Sequence, residues 1–155
     1  MAEQVLAARR LTKRYGGALA LDSVSMSIEQ GMIYGLVGRN GAGKTTLIRM
    51  AAGQSFPTSG ELELFGEHSD AELNKVRARL GAMVEIPSFY PYLTARENLE
   101  YYRLQRGIPG KACVDEVLEQ VKLADTGKKK FKAFSLGMKQ RLGLALALMN
   151  HPDFL

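Results

Sequence analysis

The sequence of 155 residues has no tryptophan and a single cysteine, Cys113. One cysteine excludes an internal disulfide, which makes a reducing cytosol the default compartment. No apolar run approaches the length of a membrane span, and the N-terminus lacks the pattern of a secretory signal. Neither sign of charge dominates, and a net charge of +5 does not by itself indicate a nucleic-acid partner. These features favour one soluble globular domain, because 155 residues are enough for one core and few for two.

One glycine-rich segment carries a specific pattern, the phosphate-binding P-loop G-x-x-x-x-G-K-[ST]. We expect its nucleotide contacts to come from Gly38, Arg39, Asn40, Gly41, Ala42, Gly43, Lys44, Thr45 and Thr46. The glycines allow backbone N–H groups to turn inward around an anion, at the positive end of the following helix. Lys44 would reach the outer phosphates, and the Thr45 hydroxyl would bind Mg²⁺. The pattern predicts that the chain binds a nucleoside triphosphate.

The segments around the P-loop predict a mixed α/β core. The apolar run 32–37 predicts a buried parallel strand before the loop, and Leu47, Ile48 and Ala51 predict the buried face of a helix that stops at Gly53. Alternation of polar and apolar residues predicts a strand over residues 23–28, which suggests an antiparallel layer together with the segment 5–11. Another short strand is expected over 61–64, and a buried strand over 81–86.

Helices are predicted over most of the remaining sequence. Two capping boxes, Ser69 with Glu72 and Thr94 with Glu97, predict helix starts. Apolar residues at helical spacing predict two more helices, one around Cys113 with Val114, Val117, Leu118 and Val121, and one over residues 137–149. We therefore predict a P-loop core with antiparallel strands over residues 1–86, a helical subdomain over 87–134, and a final segment over 135–155 that consists of a helix and the start of a strand. An aromatic loop, residues 87–92, opens the helical part.

Further motifs make the sequence similar to the ATP-binding cassette (ABC) family over essentially its whole length. Tyr15 lies where ABC ATPases carry an aromatic residue that stacks on adenine, although taken alone it could be an ordinary tyrosine at a strand end. Residues 134–141 resemble the ABC signature motif in a variant form. The resemblance gives this motif the residues Ser135, Leu136, Gly137, Met138, Lys139 and Gln140.

The signature segment also has a local interpretation, because Ser135 is typical of a helix N-cap. The resemblance implies that this helix end meets the γ-phosphate held by a partner subunit, and the alternative is a plain capped core helix. Glu85 lies where ABC proteins usually carry the glutamine of the Q-loop. A carboxylate is a strong ligand for a hard cation, so we expect Glu85 to contact Mg²⁺; otherwise it is only the end of a buried strand. Together the two variants resemble the bacitracin-resistance and lantibiotic-immunity branch of ABC exporters.

The resemblance implies an α/β P-loop NTPase core with an antiparallel β layer and a helical insert, ending before the Walker B strand. It implies ATP and Mg²⁺ as cofactors, a second ABC ATPase domain in a head-to-tail dimer, an integral membrane permease as partner and no nucleic acid. The expected place is the cytoplasmic face of the membrane, and the expected work is export of a peptide or hydrophobic antibiotic-like substrate. The resemblance also implies that the Walker B Asp–Glu pair and the switch histidine would lie beyond Leu155, so we expect no catalytic residue within residues 1–155. Residues 1–155 are expected to bind nucleotide without turnover. The alternative is a non-transport ABC ATPase of translation or repair.

Overall fold

The computed structural model describes residues 3–85 and 88–155, which form two compact units. The first unit comprises the residues up to Leu80 together with Phe154. The second comprises residues 81–153 together with Leu155. Each unit has its own cluster of buried apolar side chains.

The first unit is built on a three-stranded antiparallel sheet of order β2-β1-β3. Its strands are β1 (Gln4–Tyr15), β2 (Ala18–Glu29) and β3 (Ser59–Leu64), which confirms the antiparallel layer predicted for the first two and the short strand predicted over 61–64. Helices α1 (Lys44–Ala51) and α2 (Asp70–Val76) follow β2 and β3, and a 3-10 turn, Arg77–Arg79, continues α2. Apolar side chains of the strands and of both helices form the core, including Leu6, Leu11, Leu47, Met50, Leu64 and Leu73.

The strand predicted over residues 32–37 is wrong. Residues 32–39 have no regular secondary structure, and the side chains of Ile33 and Val37 are almost completely exposed. A strand needs a neighbour to satisfy its backbone groups, and the sheet in residues 3–85 and 88–155 pairs β1 with β2 and β3 only. An apolar run of this kind is typical of a strand covered on both faces, and here it has neither a pairing strand nor a cover.

Two smaller expectations in this region are also wrong. Residues 81–85 do not form the predicted buried strand, and Met83 is exposed, while Ile86 and Pro87 lie outside the described residues. Only an isolated parallel bridge is formed next to this segment, between Leu80 and Phe154. On α1, Met50 takes the buried position that was predicted for Ile48, whose side chain is exposed.

The described residues of the second unit form three helices, α3 (Ala95–Gln105), α4 (Ala112–Gln120) and α5 (Leu136–Leu148), with short 3-10 turns at Ala124–Thr126 and Phe131–Ala133. The capping box of Thr94 and Glu97 is present at the start of α3, as predicted. Cys113 lies in α4, as predicted, and is buried there. Within residues 3–85 and 88–155, no helix has the length and apolar character needed to cross a membrane.

A fully buried amide side chain, that of Asn98, holds the aromatic loop on α3. The Oδ1 atom of Asn98 accepts the backbone N–H of Tyr90 at 2.8 Å. Its Nδ2 atom donates to the carbonyl oxygens of Tyr90 at 3.1 Å and Thr94 at 2.9 Å. The Tyr102 hydroxyl also donates to the carbonyl oxygen of Ser88, at 2.7 Å. Residues 88–94 are thereby fixed to α3 through their backbone, which leaves their exposed side chains to face outward.

Candidate functional site

The P-loop residues form a tight turn that leads directly into α1. The backbone N–H of Ala42 donates to the carbonyl oxygen of Arg39 at 3.1 Å, and Gly41 and Gly43 both have positive φ angles, 84° and 89°. Helix α1 then begins at Lys44, with the N–H of Leu47 bonded to the carbonyl oxygen of Gly43 at 2.9 Å. The glycine turn thus runs directly into the first turn of α1. Glycine-rich loops that lead into a helix N-terminus in this way bind phosphate groups in other proteins.

Gly43 is required at its position for two reasons. Its φ of 89° lies in the left-handed region that side chains disfavour. A Cβ atom added there would also lie 2.5 Å from the carbonyl oxygen of Ala20 and 2.8 Å from Cδ1 of Leu21. The glycine therefore lets α1 begin close against β2. As the N-cap residue it has no side chain, so the first N–H groups of α1 have no side-chain cap to occupy them.

Lys44 closes the P-loop on itself. Its Nζ atom donates to the carbonyl oxygens of Gly38 at 2.6 Å and Arg39 at 2.9 Å. The hydroxyl-bearing residues Thr45 and Thr46 follow in the first turn of α1, with Thr45 exposed and Thr46 half-buried. The arrangement places an ammonium group, a hydroxyl and a helix N-terminus along one short loop, and these are donors suited to a polyphosphate.

A metal ion at this site would depend on the phosphates for most of its ligands. Among residues 3–85 and 88–155, no group of three or more His, Cys, Asp and Glu side chains is placed to hold a metal. Mg²⁺ commonly takes one or two protein ligands and completes its shell with water and substrate phosphates. Thr45, an exposed residue that carries a hydroxyl, fits that pattern.

Tyr15 lies at the end of β1 with its ring fixed on two sides. Its hydroxyl lies 3.1 Å from the Ser55 hydroxyl, and the Nζ atom of Lys13 lies over the ring, 5.0 Å from its centroid. The residue is nevertheless 48% exposed. Sequence reasoning missed both neighbours of the ring. The spacing of Lys13 and Tyr15, two residues apart on one face of a strand, could have indicated the first, whereas nothing in the sequence indicates Ser55.

The signature segment forms the start of α5. Ser135 is its N-cap, as predicted, because its Oγ atom accepts the N–H of Met138 at 3.3 Å. Leu136, Gly137 and Gln140 are exposed, and Leu136 is 62% exposed despite its apolar side chain. The Nζ atom of Lys139 lies 5.3 Å from the centroid of the Phe131 ring. The N-terminal turn of this helix is therefore accessible, as a role in trans would require.

Glu85 belongs to the second unit, whereas the P-loop belongs to the first. It is exposed and lies in a bend, so the alternative that it merely ends a buried strand is wrong. Its expected contact with Mg²⁺ stays a prediction, as do the nucleotide and signature roles of the other residues.

The ABC transporter family matches residues 21–155. The chain belongs to the ABC transporter family. It is 50% identical over 145 residues to the bacitracin transport ATP-binding protein BcrA of Bacillus licheniformis, an alignment that covers 94% of the chain and 47% of that relative. It is 41% identical to the BcrA protein of Enterococcus faecalis, over 99% of the chain and 50% of that relative. The chain thus spans about half the length of the curated relatives it matches, and the predicted resemblance to the bacitracin branch is confirmed.

The fold is also that of known ABC ATPases. A solved structure of the ATP-binding cassette MJ0796, a dimer in a post-hydrolysis state bound to ADP and Pi, matches with a TM-score of 0.81 and 26% identity. The match covers 95% of the chain and 70% of MJ0796. The structure of cbiO1 from Clostridium perfringens matches with a TM-score of 0.79 and 22% identity, over 97% of the chain and 63% of that protein, which supports the fold alone. The predicted ABC ATPase fold is confirmed.

Proposed function

We propose that the chain is the nucleotide-binding part of an ATPase subunit that drives export of a bacitracin-like peptide antibiotic through a separate membrane permease. The observation that carries the proposal is the P-loop itself, in which Lys44 and two left-handed glycines lead into the uncapped first turn of α1. The substrate class is taken from the two BcrA relatives, whose names state bacitracin transport.

In this proposal the backbone N–H groups of residues 38–46 surround the phosphates, and the Lys44 ammonium contacts the outer ones. Thr45 is a ligand of Mg²⁺, with Glu85 as a second group that contacts the metal. Tyr15 stacks on the base. The metal supplies neutralisation of phosphate charge, while the residues of this chain bind and orient the triphosphate.

A second ABC ATPase domain is part of the proposal because Ser135 and the exposed turn after it offer N–H groups to an anion outside their own helix. Two domains in a head-to-tail dimer would each combine the P-loop of one with the signature residues of the other. The dimeric state of MJ0796 supports this arrangement. We place the subunit on the cytoplasmic face of the membrane, beside its permease.

The test is nucleotide binding to the chain and to its Lys44→Ala variant. Loss of the charge-assisted contact should raise the dissociation constant of Mg-ATP about 10- to 150-fold, since such bonds contribute about 1.5–3 kcal/mol. The matched control is Lys75→Ala on α2. Lys75 is exposed and forms an ion pair with Glu72 at 2.7 Å. Equal affinity of the parent and Lys44→Ala would refute the proposal.

A further inference from the structure

The environment of Tyr15 extends beyond the single aromatic residue that the proposed function assigns to the base. Lys13, Tyr15 and Ser55 form what we name the tyrosine platform. The ammonium of Lys13 lies on one face of the ring, 5.0 Å from its centroid, and the Ser55 hydroxyl meets the ring's own hydroxyl at 3.1 Å. Although Lys13 and Ser55 contact it, Tyr15 remains 48% exposed, so the residue is accessible to a ligand.

The platform is fixed because the loop that carries Ser55 is bonded to the end of β1. Lys13 donates from Nζ to the carbonyl oxygen of Phe56 at 2.6 Å. The N–H of Thr58 donates to the carbonyl oxygen of Thr12 at 2.8 Å, and the N–H of Arg14 donates to the Thr58 hydroxyl at 3.0 Å. Three hydrogen bonds thus connect residues 56–58 with β1. Ser55, next in the chain, is therefore held in place beside Tyr15.

The side chain of Lys13 is held in one orientation by its contacts with Phe56 and the Tyr15 ring. Its side chain lies on the same face of β1 as Tyr15, because residues two apart in a strand point the same way. The bond to the carbonyl of Phe56 fixes the ammonium at one end, and the electron-rich face of the ring attracts it at the other. The ammonium thereby blocks one face of the ring against any flat ligand.

We infer that Lys13 and Ser55 are positioning residues that hold the Tyr15 ring ready to stack with the base of a purine nucleoside triphosphate on its open face. The inference rests on the proposed function. Binding a ligand costs entropy when it must also order a mobile side chain. A ring that is fixed before the ligand binds does not add this cost to the binding free energy. Stacking uses the face of a base and not its hydrogen-bonding edge, so the platform binds purine nucleotides with weak discrimination between ATP and GTP.

The test compares Mg-ATP with Mg-tripolyphosphate, which has the phosphates but no base, by calorimetric titration of the full chain. Tyr15→Ala should raise the dissociation constant of Mg-ATP about 5- to 150-fold, the range for loss of one stacked base. Lys13→Met and Ser55→Ala should each raise it about 2- to 10-fold, the range for ordering one side chain. None of the three should change the dissociation constant of Mg-tripolyphosphate by more than about twofold.

A double-mutant cycle shows whether Lys13 and Ser55 act through the ring. In a Tyr15→Ala background, Lys13→Met and Ser55→Ala should have no further effect on Mg-ATP binding. The conservative variants Lys13→Arg and Ser55→Thr should bind Mg-ATP with near-parental affinity. An arginine can also cover the ring and donate to a carbonyl, and a threonine keeps the hydroxyl. Matched controls are Lys75→Met on α2 and Ser27→Ala on β2, both exposed in the same unit.

The possible outcomes separate the inference from the proposed function. If Mg-ATP binds and depends on Lys44, but Lys13→Met and Ser55→Ala bind it like the parent chain, the platform is refuted and the nucleotide site stands. Equal losses for Mg-ATP and Mg-tripolyphosphate would also overturn the inference, because they indicate general damage to the unit. If the parent chain binds neither ligand, the proposed function fails and the inference fails with it.

Discussion

Replacing Asn98 with alanine should loosen the attachment to α3 of residues 88–94, which include the described part of the aromatic loop. The side chain of Asn98 is 0% exposed and makes three hydrogen bonds to the backbone of Tyr90 and Thr94. Alanine keeps the helix, since it has the highest helix propensity, and removes all three bonds. The substitution therefore tests the attachment of the loop and leaves α3 itself intact.

The expected size of the effect follows from these bonds. Each intramolecular hydrogen bond contributes about 0.5–1.5 kcal/mol net, so three of them contribute about 1.5–4.5 kcal/mol, with about 3 kcal/mol as the central value. Tyr90 is 43% exposed, so water can reach part of its backbone after the change and moderate the loss. A local opening that is easier by about 3 kcal/mol should occur roughly 100-fold more often.

Amide hydrogen exchange measures this opening directly, because the N–H of Tyr90 is the donor to Asn98. Exchange at Tyr90 should accelerate roughly 100-fold in Asn98→Ala, while amides in the middle of α5 keep their protection. The matched control is Asn74→Ala on α2, an exposed asparagine that accepts one hydrogen bond from Arg77 at 2.8 Å. Unchanged exchange at Tyr90 in Asn98→Ala would refute the reasoning, as would an equal acceleration in the control.

Two further predictions concern carboxylates. In the ATPase subunit of the proposed function, Glu85→Ala should lower ATP turnover more than Mg-ATP binding, with Glu85→Gln retaining turnover and Glu119→Ala as an exposed control; parental turnover across a Mg²⁺ titration would disprove the metal contact. The N–H of Thr94, at 2.7 Å, and then Lys130 hold the pKa of Glu97 below its ordinary value, so the stability contributed by the ionised form is present above that ordinary value and is lost as the pH falls through the lowered one. The free energy of unfolding, measured with urea, should therefore fall more for the parent than for Glu97→Gln as the pH is lowered from about 5 to about 3. Parallel plots of this free energy against pH would contradict the prediction.

Local patterns in the sequence were enough to predict most helices and the antiparallel strands. Thr94 with Glu97 begins α3, and Ser135 begins α5, because each cap is made by residues three positions apart. The P-loop turn was predicted for the same reason, since its glycines set the backbone angles locally. Such signals do not depend on what the rest of the chain does.

Features that depend on distant partners were missed or wrong. The apolar run 32–37 has the composition of a buried strand, but a strand exists only beside another strand, and in the described residues none pairs with it. The contact between Tyr15 and Ser55 joins residues 40 positions apart and has no sequence signal. Asn98 is similar, because an asparagine within a helix usually indicates an exposed position and not a fully buried one.

The bonds that Lys44 makes to Gly38 and Arg39 have a consequence for nucleotide affinity. A phosphate that binds the Lys44 ammonium would compete with the carbonyl oxygens of Gly38 and Arg39, to which the ammonium is already bonded. The loop with these internal bonds is therefore a state that competes with nucleotide binding. The apparent dissociation constant is the intrinsic one divided by the fraction of molecules whose ammonium is released. The affinity for nucleotide falls about tenfold for each ~1.4 kcal/mol of free energy by which the two carbonyls favour the loop with internal bonds. Under the proposed function, the affinity for nucleotide is therefore set partly by contacts within the P-loop that the phosphates would have to replace.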